Sequence, residues 1–276
     1  RVYVDRVHVK KAFAEYTAAY NADDPKIKLK IDHTYRVAAL CERIAKAAGM
    51  CAYDVELAWL SGMLHDVGRF EQIKRYNTFS DADSVDHAKF GADLLFKDGL
   101  ISTFLNGMVK CTGYKPGALE DRYSSDGVFL YDRLNKSDME MLELAIRCHN
   151  MYRIPQGLNS REQAFCNVLR DADKVDIFKV NIDTPLEEIY NTTTEELMKS
   201  DITDEVLEAF DEEHCILKAI RRTPADTVIG HVSLAYELVY DESVRITVEQ
   251  GYLEKLMHFH SDNEETNRKM AMVREK

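Results

Sequence analysis

Apolar residues along this chain recur at spacings of three and four, and the proline-free run from Lys26 to Lys115 keeps that rhythm longest. Alternating, strand-like segments are scarce, so the pattern predicts an all-helical chain. A first helix follows Asp32, a good N-capping residue, and stops at Gly49. His33, Val37, Leu40 and Ile44 share one of its faces, which points the histidine inward. A second helix runs from about Asp54 to Asp66. There His65 lines up with Ala58, Ser61 and Gly62, a lane of small residues that lets another helix come close; Gly68 is expected to break this helix. A third, near Ser84 to Phe96, sets His87 above Gly91 and Leu94.

The segment from Lys110 to Ser137 carries Gly113, Pro116, Gly117 and Gly127 and reads as a long irregular insertion, the best candidate for a lid. A helix then starts at Ser137 and reaches Asn150, aligning His149 with Leu142, Ala145 and Ile146. Ser160 caps the next, whose apolar stripe is Phe165, Val168, Leu169, Ala172 and Val175. Asp171 and Asp176 flank that stripe, and periodicity alone does not choose between them. Beyond Pro185 further amphipathic helices continue to about His258, followed by a polar tail from Ser261 to Lys276 that is expected to fray.

Charge and composition narrow the partners. The net charge of −12 repels polyanions and argues against a long nucleic acid as ligand. No apolar run approaches the roughly 18 residues a membrane-spanning helix needs, so no membrane partner is expected. The six cysteines form no Cys-x-x-Cys pair and read as reduced thiols, which makes the cytoplasm the expected compartment.

Four separate helices thus each turn a histidine inward, at 33, 65, 87 and 149, and Asp66 and Asp171 are able to join them. A single inward histidine is most often just bonded to a backbone carbonyl. Four of them change the balance, and so does the adjacent pair His65-Asp66, because a carboxylate left unpaired at a core margin is costly. Neutral imidazole with carboxylate is the donor set of a divalent metal, here Mn, Fe, Mg, Ni, Co or Zn. Arg36, three residues after His33, and Arg69, four after His65, lie near the same faces and suit bidentate contacts to phosphoryl oxygens. Lys174, one turn after Asp171, is a weaker third candidate, and the plain alternative for all three is a surface ion pair.

The ordered pattern His33, His65-Asp66, Asp171 resembles the motif of the HD-domain metal-dependent phosphohydrolase superfamily over roughly residues 28 to 180. The longer string HTYRVAAL…LHDVGRFEQIKRYNTFSDADSVDHAKFGADLLF resembles a group of bacterial HD hydrolases. The resemblance implies an all-α, HD-domain-like helical bundle over residues 28–181. A helical extension over 1–27 would precede it, and additional C-terminal helices over 182–276 would pack on it. It further implies His33, His65, Asp66 and Asp171 as ligands of a first metal, preferring Asp171 to Asp176 on that ground alone. His87 and His149 match the residues that add a second metal, with Asp66 bridging, so one or two divalent ions per chain are expected. The implied reaction is hydrolysis of a phosphate ester of a nucleotide or similar small phosphorylated metabolite by metal-activated water, with Asp66, Arg69 and Arg36 as the catalytic group. Cyclic di-GMP cleavage is not expected: after His149 the chain reads NMYRIPQGL, without the second consecutive histidine or the Gly-Tyr-Pro triplet of the cyclic-dinucleotide branch, and Arg69 stands where that branch usually has lysine. Two other classes fit the same residues, a nucleotide-binding regulator that holds its signal without cleaving it and, ranked lower, a di-iron oxygenase.

Overall fold

The computed structural model describes residues 4–105 and 134–276. Among the described residues there is no strand, and the chain is all-α. Helix α1 spans Arg6–Thr17 and α2 spans Pro25–Ala47. The second therefore begins before Asp32, because Asp24 caps it, accepting from the Lys26 amide at 2.9 Å, and Pro25 supplies a first helical residue that needs no amide partner. Lys30 is thereby placed on the helix one turn ahead of His33.

Helix α3, Ala52–Leu64, is buried on every side from Leu57 to Leu64, as a central helix must be. The small-residue lane does what its composition predicts: a Cβ on Gly62 would stand 2.6 Å from the Ala38 Cα, so α2 seats against α3 almost backbone to backbone. The helix ends at Leu64, and His65 and Asp66 form the turn into α4, Val67–Tyr76. Gly68 is therefore not a helix breaker. It lies in the first turn of α4, where its missing side chain admits α5, His87–Ala92: a Cβ there would meet the His87 carbonyl oxygen at 2.5 Å and the Gly91 nitrogen at 2.7 Å. After α5 the chain widens into a π turn, Asp93–Lys97, and then forms α6, Ile101–Leu105. The candidate lid falls, up to residue 133, outside the described residues. Helix α7, Lys136–Cys148, opens on a capping box between Asn135 and Asp138.

The chain divides into two compact units, Arg1–Leu169 and Arg170–Lys276, at a point inside α8, Ser160–Asp183, whereas the resemblance implies a boundary at residue 181. In the first unit α1 packs against α4. Phe13 meets Phe70 edge-on at 5.9 Å, and the Tyr16 hydroxyl donates to the Val67 carbonyl at 2.9 Å, one residue beyond Asp66.

The second unit contains α9 (Leu186–Tyr190), α10 (Thr194–Lys199), α11 (Asp204–Asp211), α12 (Pro224–Val232), α13 (Asp241–Gln250), α14 (Tyr252–Met257) and α15 (Glu264–Glu275). Its core joins Phe178 of α8 to Leu197, Phe210, Ile229 and Met270. The tail expected to fray is α15. Its low average hydropathy hides Met270 and Val273, both buried on one face, while Asn263 caps its start and the Thr266 hydroxyl donates to the Ser200 carbonyl at 2.7 Å. No helix among the described residues is long and apolar enough to cross a membrane.

Candidate metal centre

Asp66 owes its position to a local choice. It occupies the N-cap place of α4 at φ −108°, ψ 15°, yet its carboxylate caps nothing and turns inward, with only 2% of the residue exposed. His65, just before it, is the C-cap of α3, and His149 is the C-cap of α7. Both use the same device. His65 Nδ1–H donates to the Gly62 carbonyl at 2.7 Å, and His149 Nδ1–H donates to the Ile146 carbonyl at 2.7 Å. A carbonyl only accepts, so in the neutral ring the proton sits on Nδ1 and Nε2 is left with a lone pair. His87, the first residue of α5, reaches the same state by donating from Nδ1 to Asp81 Oδ2 at 2.7 Å.

The two oxygens of Asp66 divide the imidazoles between them. Oδ2 lies 3.6 Å from His33 Nε2 and 3.5 Å from His65 Nε2. Oδ1 lies 3.5 Å from His87 Nε2 and 3.6 Å from His149 Nε2. Two donor atoms each about 2.1 Å from one ion, at angles of about 90–110°, stand about 3.0–3.4 Å apart. The 3.5–3.6 Å separations lie just beyond that range, so small movements would let both groups, His33-His65-Asp66 and Asp66-His87-His149, hold an ion. The strongest fit is electronic: His87 Nε2 and His149 Nε2 approach to 3.1 Å. With both rings neutral, two lone pairs face each other there, an arrangement that a shared cation relieves. Burial and the nearby Arg69 guanidinium push His87 down to about 3, against the pull of Asp81, so this ring stays neutral.

Cations surround the carboxylate. Burial alone would raise the Asp66 carboxyl, but Lys30 above all holds it well below the usual range. Lys30 Nζ donates to Asp66 Oδ2 at 2.8 Å and lies 5.3 Å from the centre of the Phe79 ring. On the other side, Arg69 Nε is 3.9 Å from Asp66 Oδ1, and Arg69 stacks toward the same ring at 5.6 Å. Arg69 Nε is buried and has no hydrogen-bond partner, whereas Nη1 is held by Gln72, the Phe79 carbonyl and Asp81. Lys30 escaped the sequence pattern. Its only signal is the i, i+3 spacing to His33, a helix-surface relation that most lysines share with something.

The remaining predicted residues are placed as follows. Arg36 is half-buried one turn beyond His33 on α2. Lys174 belongs to the second unit and is buried; desolvation and Arg170 push its ammonium down to about 8, against Asp171, Asp173 and Glu237. Asp171, implied as a ligand by the resemblance, carries another set of partners. Its carboxylate accepts from the amides of Val239 and Tyr240, each at 3.0 Å, and from the Ser243 hydroxyl at 2.6 Å. These donors belong to the start of α13, whose own N-cap, Tyr240, offers no side-chain cap. Asp171 does that work from a distance. Asp171→Asn is accordingly expected to lower unfolding free energy by about 1–3 kcal/mol, the cost of leaving buried donors poorly matched. Denaturant titration checks this, and a variant of normal stability would refute the capping role; elemental analysis of the same variant tests separately the ligand role that the resemblance implies for Asp171.

Residues 31–178 match the family model described as HD domain. No curated protein and no solved structure matches the chain.

Proposed function

Because the chain belongs to the HD-domain family, whose members are mostly metal-dependent hydrolases, we propose that it is a metal-dependent phosphohydrolase acting on a nucleotide or similar small phosphorylated metabolite. The observation that carries this reading is the division of Asp66: one carboxylate oxygen faces His33 and His65, the other His87 and His149. His33, His65 and Asp66 would hold one divalent ion and Asp66, His87 and His149 a second, with Asp66 common to both.

Ions bound there supply Lewis acidity, lowering the pKa of a coordinated water from about 15.7 to near 7 and neutralising charge on a transferring phosphoryl group. The protein's own part is to orient and to attract. The Nδ1 hydrogen bonds of His65, His87 and His149 fix which ring nitrogen faces the centre. Lys30 and Arg69 flank Asp66 with two positive charges inside a protein of net charge −12, so an anionic ester meets a locally reversed field. Arg69 Nε, buried and without a partner, is the donor placed to take a phosphoryl oxygen, and Lys30 Nζ is a second once it leaves Asp66. Arg36, one turn beyond His33 on α2, is proposed for the same role as Arg69.

Purified protein loaded with manganese or iron and offered a broad panel of phosphate esters is expected to release phosphate from at least one nucleotide or small phosphomonoester. Absence of turnover on every member, with metal confirmed bound, would refute the hydrolase reading. Retention of an intact nucleotide after long incubation would replace it by a binding regulator, and oxygen uptake with a polyol by an oxygenase.

A further inference from the structure

The segment between α4 and α5 contains a carboxylate to which neither the helical period nor the ligand pattern gives a role. Asp81 accepts four hydrogen bonds from four different side chains. His87 Nδ1 reaches Oδ2 at 2.7 Å and Asn150 Nδ2 reaches the same oxygen at 3.2 Å; Arg69 Nη1 reaches Oδ1 at 3.0 Å and Gln72 Nε2 reaches it at 2.9 Å. An ionised carboxylate has about four acceptor positions and no donor, so this one is fully used. An amide in its place would have one oxygen and would aim two N–H groups at donors. The loop is itself fixed for the purpose, since Gln72, wholly buried, also donates to Ser84 Oγ at 2.9 Å and to the Val85 carbonyl at 3.2 Å.

We propose that Asp81 is the positioning residue of the His87 half of the centre: it sets the tautomer that turns His87 Nε2 toward Asp66 and, through the same carboxylate, holds Arg69 so that its Nε faces Asp66. The first effect rests on the metal reading above only for its consequence; the hydrogen bond itself does not. A carboxylate behind a ligating imidazole fixes ring orientation and raises donor strength, and loss of such a partner typically weakens metal binding about 10–100-fold. Asp81 therefore links occupancy of the His87–His149 pair to the aim of the anion-binding guanidinium, two properties that belong to different helices and meet at one side chain.

The test uses the full chain as wild type, Asp81→Asn and Asp86→Asn. Asp86 is the control because it lies in the same loop, caps α5 through the Lys89 amide at 3.2 Å and accepts from Asn150. Long-range nitrogen–proton spectra of the metal-free proteins read the His87 tautomer directly. Wild type and Asp86→Asn are expected to show the proton on Nδ1, and Asp81→Asn a mixture. Manganese titration with elemental analysis is expected to show one equivalent loosened about 10–100-fold in Asp81→Asn, with the other retained. A His87 tautomer unchanged in Asp81→Asn overturns the proposal whatever the metal data show. Equal loosening of both equivalents, or the same losses in Asp86→Asn, reduces Asp81 to a structural loop residue and overturns it too. Should wild type bind no metal at all, the phosphohydrolase reading falls while the tautomer measurement still decides the role of Asp81.

Discussion

Asp66→Ala is expected to lose most of its bound metal and to lower any phosphohydrolase activity by about 10³-fold or more, beyond the loss typical of a single transition-state contact. The reason is that one side chain serves both halves of the centre, so no partial occupancy is left to fall back on. Removing it also leaves the Lys30 ammonium without the carboxylate it bonds and places two cations, Lys30 and Arg69, beside four imidazoles with no anion between them. That arrangement opposes any further positive charge. Because Asp66 caps nothing at the start of α4, the helix keeps its own hydrogen bonds, and the fold should survive the change. Elemental analysis and circular dichroism on the same preparation separate the two effects: metal near zero with helicity retained is the expected pair. Full metal content in this variant would remove the bridging role.

The second large effect is steric. Gly68→Ala would place a methyl group 2.5 Å from the His87 carbonyl oxygen, 2.7 Å from the Gly91 nitrogen and 2.9 Å from the Gly91 Cα. All three are backbone atoms, so no side chain can turn aside, and α4 and α5 must separate. Overpacking of this kind costs about 1–3 kcal/mol. The loss reaches the centre as well, because His87 is the first residue of α5 and moves with it. The reciprocal change provides an internal scale: in Gly91→Ala the nearest atoms are Gly68 N at 3.0 Å and Gly68 Cα at 3.4 Å, which a small shift can relieve. Denaturant midpoints should therefore fall more for Gly68→Ala than for Gly91→Ala, and bound metal should follow the same order. Equal midpoints would mean that the helix contact is looser than the geometry indicates.

Little of the candidate centre lies in regular helix interior. His65 and His149 are C-caps, Asp66 is an N-cap position and His87 opens its helix; only His33 is an interior residue, in α2. Helix ends leave backbone groups unsatisfied, and here two carbonyls three residues before His65 and His149 are used to orient the rings. The same geometry that ends the helix thus selects the ring nitrogen that faces Asp66.

Much of this was legible in the letters because burial and helical period are local properties. An inward histidine on each of four helices, the small-residue lane at Gly62 and the His65-Asp66 pair at a helix end can all be counted along the chain, and the structure brings all four histidines around Asp66. What the letters left open has a common physical cause. Lys30 reaches a carboxylate 36 positions away on a long side chain, Asp81 acts from a loop with no period, and Asp171 is committed to donors 68 to 72 positions later. The Gly68 contact and the docking of α15 depend likewise on which backbone arrives opposite. The sequence by itself determined that the helices exist, which faces they bury and that imidazole and carboxylate share those faces, since each follows from the free energy of burying side chains at a fixed period. Only the tertiary structure decided which oxygen meets which nitrogen, because hydrogen bonds and ion pairs depend on distances of a few ångströms between segments whose separation along the chain carries no record of their meeting.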